Sequence, residues 1–156
     1  MSERINCIVI DNSEECEKAF DWYVDNFHRK DDTALLVRVQ GEPKKSIEKL
    51  VEGKAKRYNS AFKRLSRSEK ALEKFKAKCE SKNIKFSPYL TRKQNSIGQT
   101  ICDVTQSHNV NVIVMAQKAV SKLSRTLLGS SSDSDYIMHH AQVPVLIIPT
   151  IDGKNS

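Results

Sequence analysis

Short runs of apolar residues alternate along the chain with stretches whose apolar positions recur at helical spacing. Five such runs are bounded by turn-forming residues, as is typical of strands in a covered sheet. They span 5–10, 33–39, 84–90, 110–115 and 143–149. The third run contains Pro88, which lacks the N–H that a β-ladder needs, so we expect an edge strand or a bulge there.

The stretches between the runs predict amphipathic helices. We expect these helices over 14–27, 44–82, 96–108 and 130–141. The second stretch divides near Gly53 into a short and a long helix. Ser13 is placed to cap the first helix, and Ser96 with Gln99 makes a capping-box pattern for the third.

Strands and helices therefore alternate from the first run to the last. Such alternation predicts an α/β fold with a doubly wound five-stranded parallel sheet, flavodoxin-like or Rossmann-like. A chain of 156 residues suits one core, so we expect a single domain over 1–156. Ligands of these sheets bind beyond the carboxyl ends of the strands. Those ends are Asp11, Val39 and Met115, which we expect to converge on one crevice.

The net charge of +7 is the property of one segment, because residues 44–85 carry 15 Lys and Arg against 5 Asp and Glu. A basic helix with an apolar stripe is more often a solvated face than a binding surface, and no nucleic-acid-reading motif accompanies it. We therefore place a nucleic-acid partner last among the functions considered. Binding of acidic partners by this helix is the alternative.

Cellular location and redox state are also constrained by the sequence. No run reaches the roughly 20 apolar residues of a membrane span, and the residues before the first strand leave no room for a secretory leader. We expect a cytoplasmic protein with no membrane partner. The cysteines form no CxxC pair and are expected to stay free thiols in a reducing compartment. They are Cys7, Cys16, Cys79 and Cys102.

Signatures of the common catalytic mechanisms are missing. The sequence has no nucleophile elbow, no Cys–His signature and no phosphate loop ending in Gly-Lys-Ser/Thr, so we expect no dedicated catalytic activity. His139 and His140 are adjacent on a predicted helix, and their side chains point in directions too different to clasp one metal ion. We expect one of them to be packed and the other solvated, with no metal site.

Two blocks of sequence carry a family resemblance. The first is Ile-Val-Ile-Asp-Asn-Ser at 8–13 with Ala-Phe-Asp-Trp at 19–22. The second comprises 112–115, Gly129-Ser130 and 135–147. Together they resemble the universal stress protein family over nearly the whole chain. The resemblance implies an adenine nucleotide alpha hydrolase-like fold, a stress-response role and, in some members, weak ATP hydrolysis or autophosphorylation.

The nucleotide-binding branch of that family carries Gly-x2-Gly-x9-Gly-(Ser/Thr) after its fourth strand. Glycines let the backbone approach the phosphates, and the N–H groups of the following helix hold their charge. Here the pattern is Ala116, Ala119, Gly129 and Ser130, so the spacing is kept while two glycines are alanines. Alanine costs roughly 1 to 2 kcal/mol where a left-handed backbone is needed and almost nothing elsewhere. The sequence leaves both cases open.

The resemblance also implies the ligand and its contacts. The ligand would be ATP or AMP, with Mg²⁺ as an accompanying ion. Asp133 and Asp135, in an insertion of about two residues after the motif, would repel phosphate unless they point away or hold that ion. The residues placed at the ligand are Ile10, Asp11, Val39, Met115, Ala116, Ala119, Arg125, Gly129, Ser130, Ser131 and Ser132.

Structural roles are open for several of these residues. Asp11 is alternatively the cap of the turn before the first helix, while Val39 and Met115 are alternatively ordinary strand ends. The leading hypothesis is a stress-response regulator that binds an adenine nucleotide and associates with protein partners that the sequence does not identify. The alternative is a nucleotide-free dimeric interaction module. In either case we expect a homodimer through the last strand, 143–148.

Overall fold

The computed structural model describes residues 3–40, 54–117 and 133–149, and the side chains of all of these except 54–66 and 133. Within these ranges one parallel sheet has the strand order β3-β2-β1-β4-β5. Its strands are β1 (Ile5–Val9), β2 (Thr33–Gln40), β3 (Phe86–Arg92), β4 (Val112–Ala116) and β5 (Val145–Ile148). The helices are α1 (Glu14–Asn26), α2 (Lys54–Ser81), α3 (Ile97–Ser107) and α4 (Asp133–His140). The predicted doubly wound α/β fold is confirmed.

Helices cover both faces of the sheet. Successive residues of each central strand point into opposite layers, so Ile8 packs under α1 and α2 while Cys7 packs under α3 and α4. In the first layer Phe20 of α1 meets Phe75 of α2 edge to face, with ring centroids 5.1 Å apart. The central strands β1, β2 and β4 are therefore buried on two sides, which is why they appear in the sequence as continuous apolar runs.

Strands β3 and β4 begin later than predicted, and both do so for the same reason. Asn83 and Asn109 have φ of 55° and 54°, the left-handed conformation that closes helices α2 and α3. The residues after them still belong to the helix ends: Ile84 N–H donates to Cys79 and Val110 N–H to Thr105. The strands consequently begin two residues later than predicted, at 86 and 112.

Pro88 lies inside β3, where it pairs with Leu36 on β2. Strand β3 is an edge of the sheet, so the missing N–H of Pro88 can be tolerated on the outer side, and the predicted edge position is confirmed. Both predicted caps are also present: the Ser13 hydroxyl accepts from Cys16 N–H at 3.1 Å and the Ser96 hydroxyl from Gln99 N–H at 3.0 Å. The predicted division near Gly53 lies outside the described residues.

A row of ion pairs joins the two helices of the first layer. Glu17, Asp21 and Asp25 are spaced by four on α1 and lie 2.6, 2.8 and 3.6 Å from lysines with the same spacing along α2 and just past its end. Those lysines are Lys74, Lys78 and Lys82. The matched order shows that α1 and α2 run in the same direction. Part of the basic charge of α2 is thus used within the fold.

A buried polar network lies at the amino-terminal end of β1. Arg4 donates to both carboxylate oxygens of Asp32 at 2.6 to 3.2 Å, and Asp32 also accepts from the Asn6 side-chain amide at 3.0 Å. The same amide donates to the Tyr23 hydroxyl at 2.9 Å. That hydroxyl is also hydrogen-bonded to Nδ1 of His28.

Protonation in this network follows from its surroundings. Burial alone would raise the pKa of Asp32, but hydrogen bonds from Arg4, the Arg29 backbone and Asn6 lower it overall. Burial lowers the pKa of His28; Asp32 opposes that shift and Arg4 adds to it. At neutral pH the network thus combines an ionised carboxylate with a neutral imidazole.

We predict that acidification weakens the fold through His28. Its folded-state pKa lies below the usual 6.5, so the unfolded chain binds the proton more readily. The stabilisation contributed by the neutral His28 is complete above the unfolded-state pKa and is lost as the pH falls through the folded-state pKa. Denaturant unfolding from about pH 7.5 to about pH 5 should show a falling free energy of unfolding. His28→Gln should flatten this slope, and the exposed control His139→Gln should keep it. Equal slopes in all three proteins would contradict the prediction.

Candidate functional site

The direction in which the chain winds reverses between β1 and β4. Strand β1 leads through α1 toward β2 on one side, whereas β4 leads toward β5 on the other, and the two helices α1 and α4 lie on opposite faces of the sheet. Ile8 is the register partner of Val114, so the carboxyl ends of β1 and β4 emerge side by side. A crevice for a ligand is expected at such a switch point.

The structure brings the described members of the predicted set to this rim. Ile10 and Asp11 follow β1, Met115 and Ala116 end β4, and Val39 lies near the end of β2. The Ile10 N–H donates to the Val37 carbonyl at 2.8 Å, which keeps the end of β1 fixed beside β2. The predicted convergence of three segments on one rim of the sheet is therefore present.

The side chains of three of these residues point into the core. Val39 is 5% exposed and Met115 is 8% exposed, both packed under α3 and α4, while Ile10 packs under α1 and α2. Val39 and Met115 therefore have the ordinary strand-end role that the sequence left open, and the Ile10 side chain is likewise part of the core. What they offer at the rim is backbone, and their contact with a ligand stays a prediction.

Asp11 organises the turn that opens α1. One of its carboxylate oxygens accepts from the Ser13 N–H at 2.7 Å and from the Ser13 hydroxyl, and that hydroxyl in turn caps Cys16. The Cys16 thiol also stabilises this turn, since it accepts from Asp11 N–H and donates to the Val9 carbonyl, both at 3.4 Å. Asp11 thus has the turn-capping role, and its contact with a nucleoside stays a prediction.

The structure shows whether one of the two replaced glycines, at position 116, needs a left-handed backbone. It is the last residue of β4 and pairs with Ile148 in regular strand geometry. Among the described residues only Asn83 and Asn109 are non-glycine residues with positive φ. Position 116 therefore has an ordinary backbone, and alanine there carries no left-handed penalty.

The rest of the predicted phosphate loop lies outside the described residues. This holds for Ala119, Arg125, Gly129, Ser130, Ser131 and Ser132. Their contacts with phosphate stay predictions. Helix α4, which follows the loop, is described from Asp133.

Arg38 is a rim residue that the sequence analysis did not single out. It interrupts the otherwise apolar core of β2, and its Nη1 donates to the Ile10 carbonyl at 3.4 Å. The signal was present in the sequence as a lone charged residue between Val37 and Val39. A charged side chain in a buried strand needs hydrogen-bond partners or a counter-charge, because burying it without them is costly.

Other chemistry-bearing side chains do not add to the site. The expectation that one of His139 and His140 is packed was wrong: both are exposed, and His140 stacks on the Tyr136 ring with centroids 4.0 Å apart. In the ranges that the structure describes, no cluster of three or more His, Cys, Asp or Glu could hold a metal ion. All four cysteines are buried free thiols, and burial raises the pKa of Cys7 to about 12. Within the same ranges no helix is long and apolar enough for a membrane span.

Solved structures with this fold include several stress proteins. A universal stress protein family protein from Arabidopsis thaliana, solved with AMP bound, has a TM-score of 0.69 at 16% identity and covers 98% of this chain and 95% of its own. UspA from Lactobacillus plantarum has a TM-score of 0.70 at 15% identity, covering 93% and 97%. A universal stress protein in complex with cAMP has a TM-score of 0.57 at 12% identity, covering 93% and 95%. At these identities the likeness concerns the fold alone.

Sequence comparison gives the family. Universal stress protein Slr1101 from Synechocystis is 32% identical over 74 residues, which are 47% of this chain and 58% of that protein. The chain thus matches less than two thirds of the length of this relative. The model of the universal stress protein family matches residues 1–149. On the strength of that match over nearly its whole length, the chain belongs to the universal stress protein family.

Proposed function

We propose that this protein binds an adenine nucleotide at the carboxyl rim between β1 and β4 and acts as a stress-response regulator through ligand-dependent association with other proteins. The observation that carries the proposal is the placement of the Asp11 turn beside the end of β4 at the switch point. The AMP and cAMP in two proteins of the same fold support it. The family match over 1–149 supports a single domain, and four free thiols support a cytoplasmic setting.

AMP is favoured over ATP with Mg²⁺ as the ligand. The backbone at Ala116 is ordinary strand, so the rim can approach a nucleoside there without strain. Ala119 lacks the freedom of glycine at the predicted phosphate loop, which weakens the case for a long phosphate chain. A ligand with one phosphate needs the fewest contacts with that loop.

We predict adenine nucleotide binding at micromolar or weaker affinity. Titration calorimetry of the purified chain with AMP, ADP, ATP and adenosine measures this affinity. ADP and ATP are each titrated with and without Mg²⁺. AMP should bind at least as tightly as ATP, and GMP serves as the control for base selectivity. No heat and no thermal shift at millimolar ligand would contradict the proposal and favour a nucleotide-free interaction module.

We predict that the two alanines of the motif are not equivalent. If position 119 needs a left-handed backbone, Ala119→Gly should tighten ATP by about tenfold and leave adenosine unchanged, because only the phosphates meet the loop. Ala116→Gly is the matched control: affinity should stay the same, while the free energy of unfolding falls by about 0.5 to 1 kcal/mol because glycine weakens a strand. Equal tightening of ATP and adenosine by Ala119→Gly would place the phosphates elsewhere.

We also propose that the protein is a homodimer through β5. This strand is an edge of the sheet, and Val145, Leu146 and Ile147 are only half-buried in the single chain. An exposed apolar edge invites uncontrolled pairing unless a partner covers it. Pairing of β5 with its own copy across a twofold axis would bury the same patch on both subunits. Pro144 supplies no N–H, so the paired register would run through 145–148.

We predict that Ile147→Lys shifts the protein toward the monomer. Light scattering at tens of micromolar should give about twice the monomer mass of 17.7 kDa for the unmodified chain and a lower mass for the variant. Ser87→Lys, an exposed position on the opposite edge strand β3, is the control and should keep the dimer. Far-UV circular dichroism checks that both variants stay folded. A monomer for the unmodified chain would contradict the prediction.

A further inference from the structure

Helix α2 is much longer than the helix beside it. The ion pair between Glu17 and Lys74 sets the register of α1 against α2, and the two pairs further along keep that register. Because α1 begins at Glu14, three residues before Glu17, its start lies level with position 71 of α2. Residues 54–70 of α2 therefore continue past the start of α1, over about 25 Å at 1.5 Å per residue. We call this segment of α2 the arm.

The cations of this helix divide at the same point. Residues 71–82 carry four lysines, and each of them is in an ion pair with an N–O distance between 2.6 and 3.6 Å. The arm carries seven Lys and Arg against one Glu, and α1 has no residues level with it. Its two cations with described side chains, Arg67 and Lys70, are exposed, and neither is in an ion pair with another described side chain. The charge that α1 neutralises is thus confined to the carboxyl-terminal part of α2.

Sequence positions along the arm separate charged from apolar residues. Four cations recur at intervals of seven, four and three residues, the spacing of one helix face. They are Lys56, Lys63, Arg67 and Lys70. Three apolar residues recur at intervals of four and three, and a further interval of seven leads to Leu72, which is buried in the first layer. They are Tyr58, Phe62 and Leu65. The apolar positions therefore continue the core face of α2, and the cationic positions share the other side of the helix.

We propose that the cationic face of the arm binds an acidic segment of a partner protein. The inference rests on the proposed function, because it gives the protein association proposed there a surface and a partner chemistry. With one Glu of its own, the arm cannot neutralise its seven cations, and opposite charge across an interface speeds and orients association. The base of the arm is level with the start of α1, which follows the Asp11 turn closely. A partner bound to the arm would therefore lie beside the ligand rim.

Nucleic acids and anionic membranes also carry dense negative charge, but they fit the arm less well. Both are much wider than a single peptide segment, so they would also meet the glutamates in the first turn of α1 at the base of the arm. A helix that lies on a membrane needs its apolar face free to enter the lipid. The apolar positions of the arm instead continue the face on which α2 packs against the sheet. A narrow acidic segment can lie along the cationic face alone.

The test compares the binding of three polyanions by three proteins at physiological salt. The polyanions are a glutamate-rich peptide as long as the arm, a DNA duplex of random sequence, and vesicles of phosphatidylcholine and phosphatidylserine. The proteins are the unmodified chain, an arm variant with Lys63→Gln, Arg67→Gln and Lys70→Gln, and a control variant with Lys18→Gln, Arg29→Gln and Lys30→Gln. The control loses three exposed cations outside the arm, so the two variants have the same net charge. Fluorescence anisotropy measures the peptide and the duplex, and co-sedimentation measures the vesicles.

The arm variant should bind the peptide about tenfold more weakly than the unmodified chain, and the control variant within about twofold of it. The unmodified chain should bind the peptide more tightly than the duplex or the vesicles. Glutamine has nearly the helix propensity of lysine and arginine, so the arm should stay helical in the variant. Far-UV circular dichroism and thermal unfolding of all three proteins check this.

Each outcome decides for or against the inference. Equal weakening by the two variants, no binding of the peptide by the unmodified chain, or tighter binding of the duplex or the vesicles overturns it. AMP is titrated into the same three proteins and should bind to all of them alike, because neither variant changes a residue placed at the ligand. Peptide binding without AMP binding keeps the arm surface and contradicts the nucleotide site. AMP binding without peptide binding overturns the inference and leaves the nucleotide site standing.

Discussion

Strand β1 is hydrogen-bonded along both edges and covered on both faces. Its residues pair with β2 on one side and β4 on the other, and its side chains alternate between the two helical layers. No freedom of register remains, because a shift by one residue would exchange Cys7 and Ile8 between layers. The chain that leaves β1 must therefore emerge beside the end of β4. The position of the candidate site at Ile10 and Asp11 follows from this constraint.

The two ends of β1 serve different purposes. At the amino end Arg4, Asn6 and Asp32 connect β1 to the start of β2, and Tyr23 with His28 connects it to α1. These groups are largely buried and bonded to one another, which fixes the strand and leaves little for a ligand. At the carboxyl end the polar groups belong to the turn around Asp11 and to the half-buried Arg38. Rigidity at one end thus supports precise placement at the other.

The sequence predicted those features that depend on local pattern. The apolar runs predicted all five strands, and Pro88 predicted an edge or a bulge, of which the edge is observed, because burial and the missing N–H act on the strand itself. It could not predict the left-handed turns at Asn83 and Asn109, since asparagine is compatible with many conformations. The bond between Arg4 and Asp32 joins residues 28 apart in the chain, and no spacing rule reveals such a contact.

Site prediction was limited by side-chain direction. The pattern of apolar runs placed Val39 and Met115 at the rim, where the structure has them, but their side chains point into the core and only their backbone is left for a ligand. Alternation along β2 could have shown this, because Val39 shares a face with the buried Leu35 and Val37. The same alternation places Arg38, between Val37 and Val39, on the opposite face of β2 and would have drawn attention to it. A charge on the opposite face of an apolar strand, near its carboxyl end, is itself a signal.

The two replaced glycines of the motif bear on ligand choice. A glycine loop binds phosphates with several backbone N–H groups and suits a long phosphate chain. Alanine keeps the backbone N–H but lacks the freedom of glycine to take a left-handed conformation, so it restricts the shapes that such a loop can adopt. Within the proposed function, a loop in which Ala119 stands in place of glycine therefore favours a monophosphate over a triphosphate. Because Ala116 lies in regular strand geometry, this preference would come from position 119.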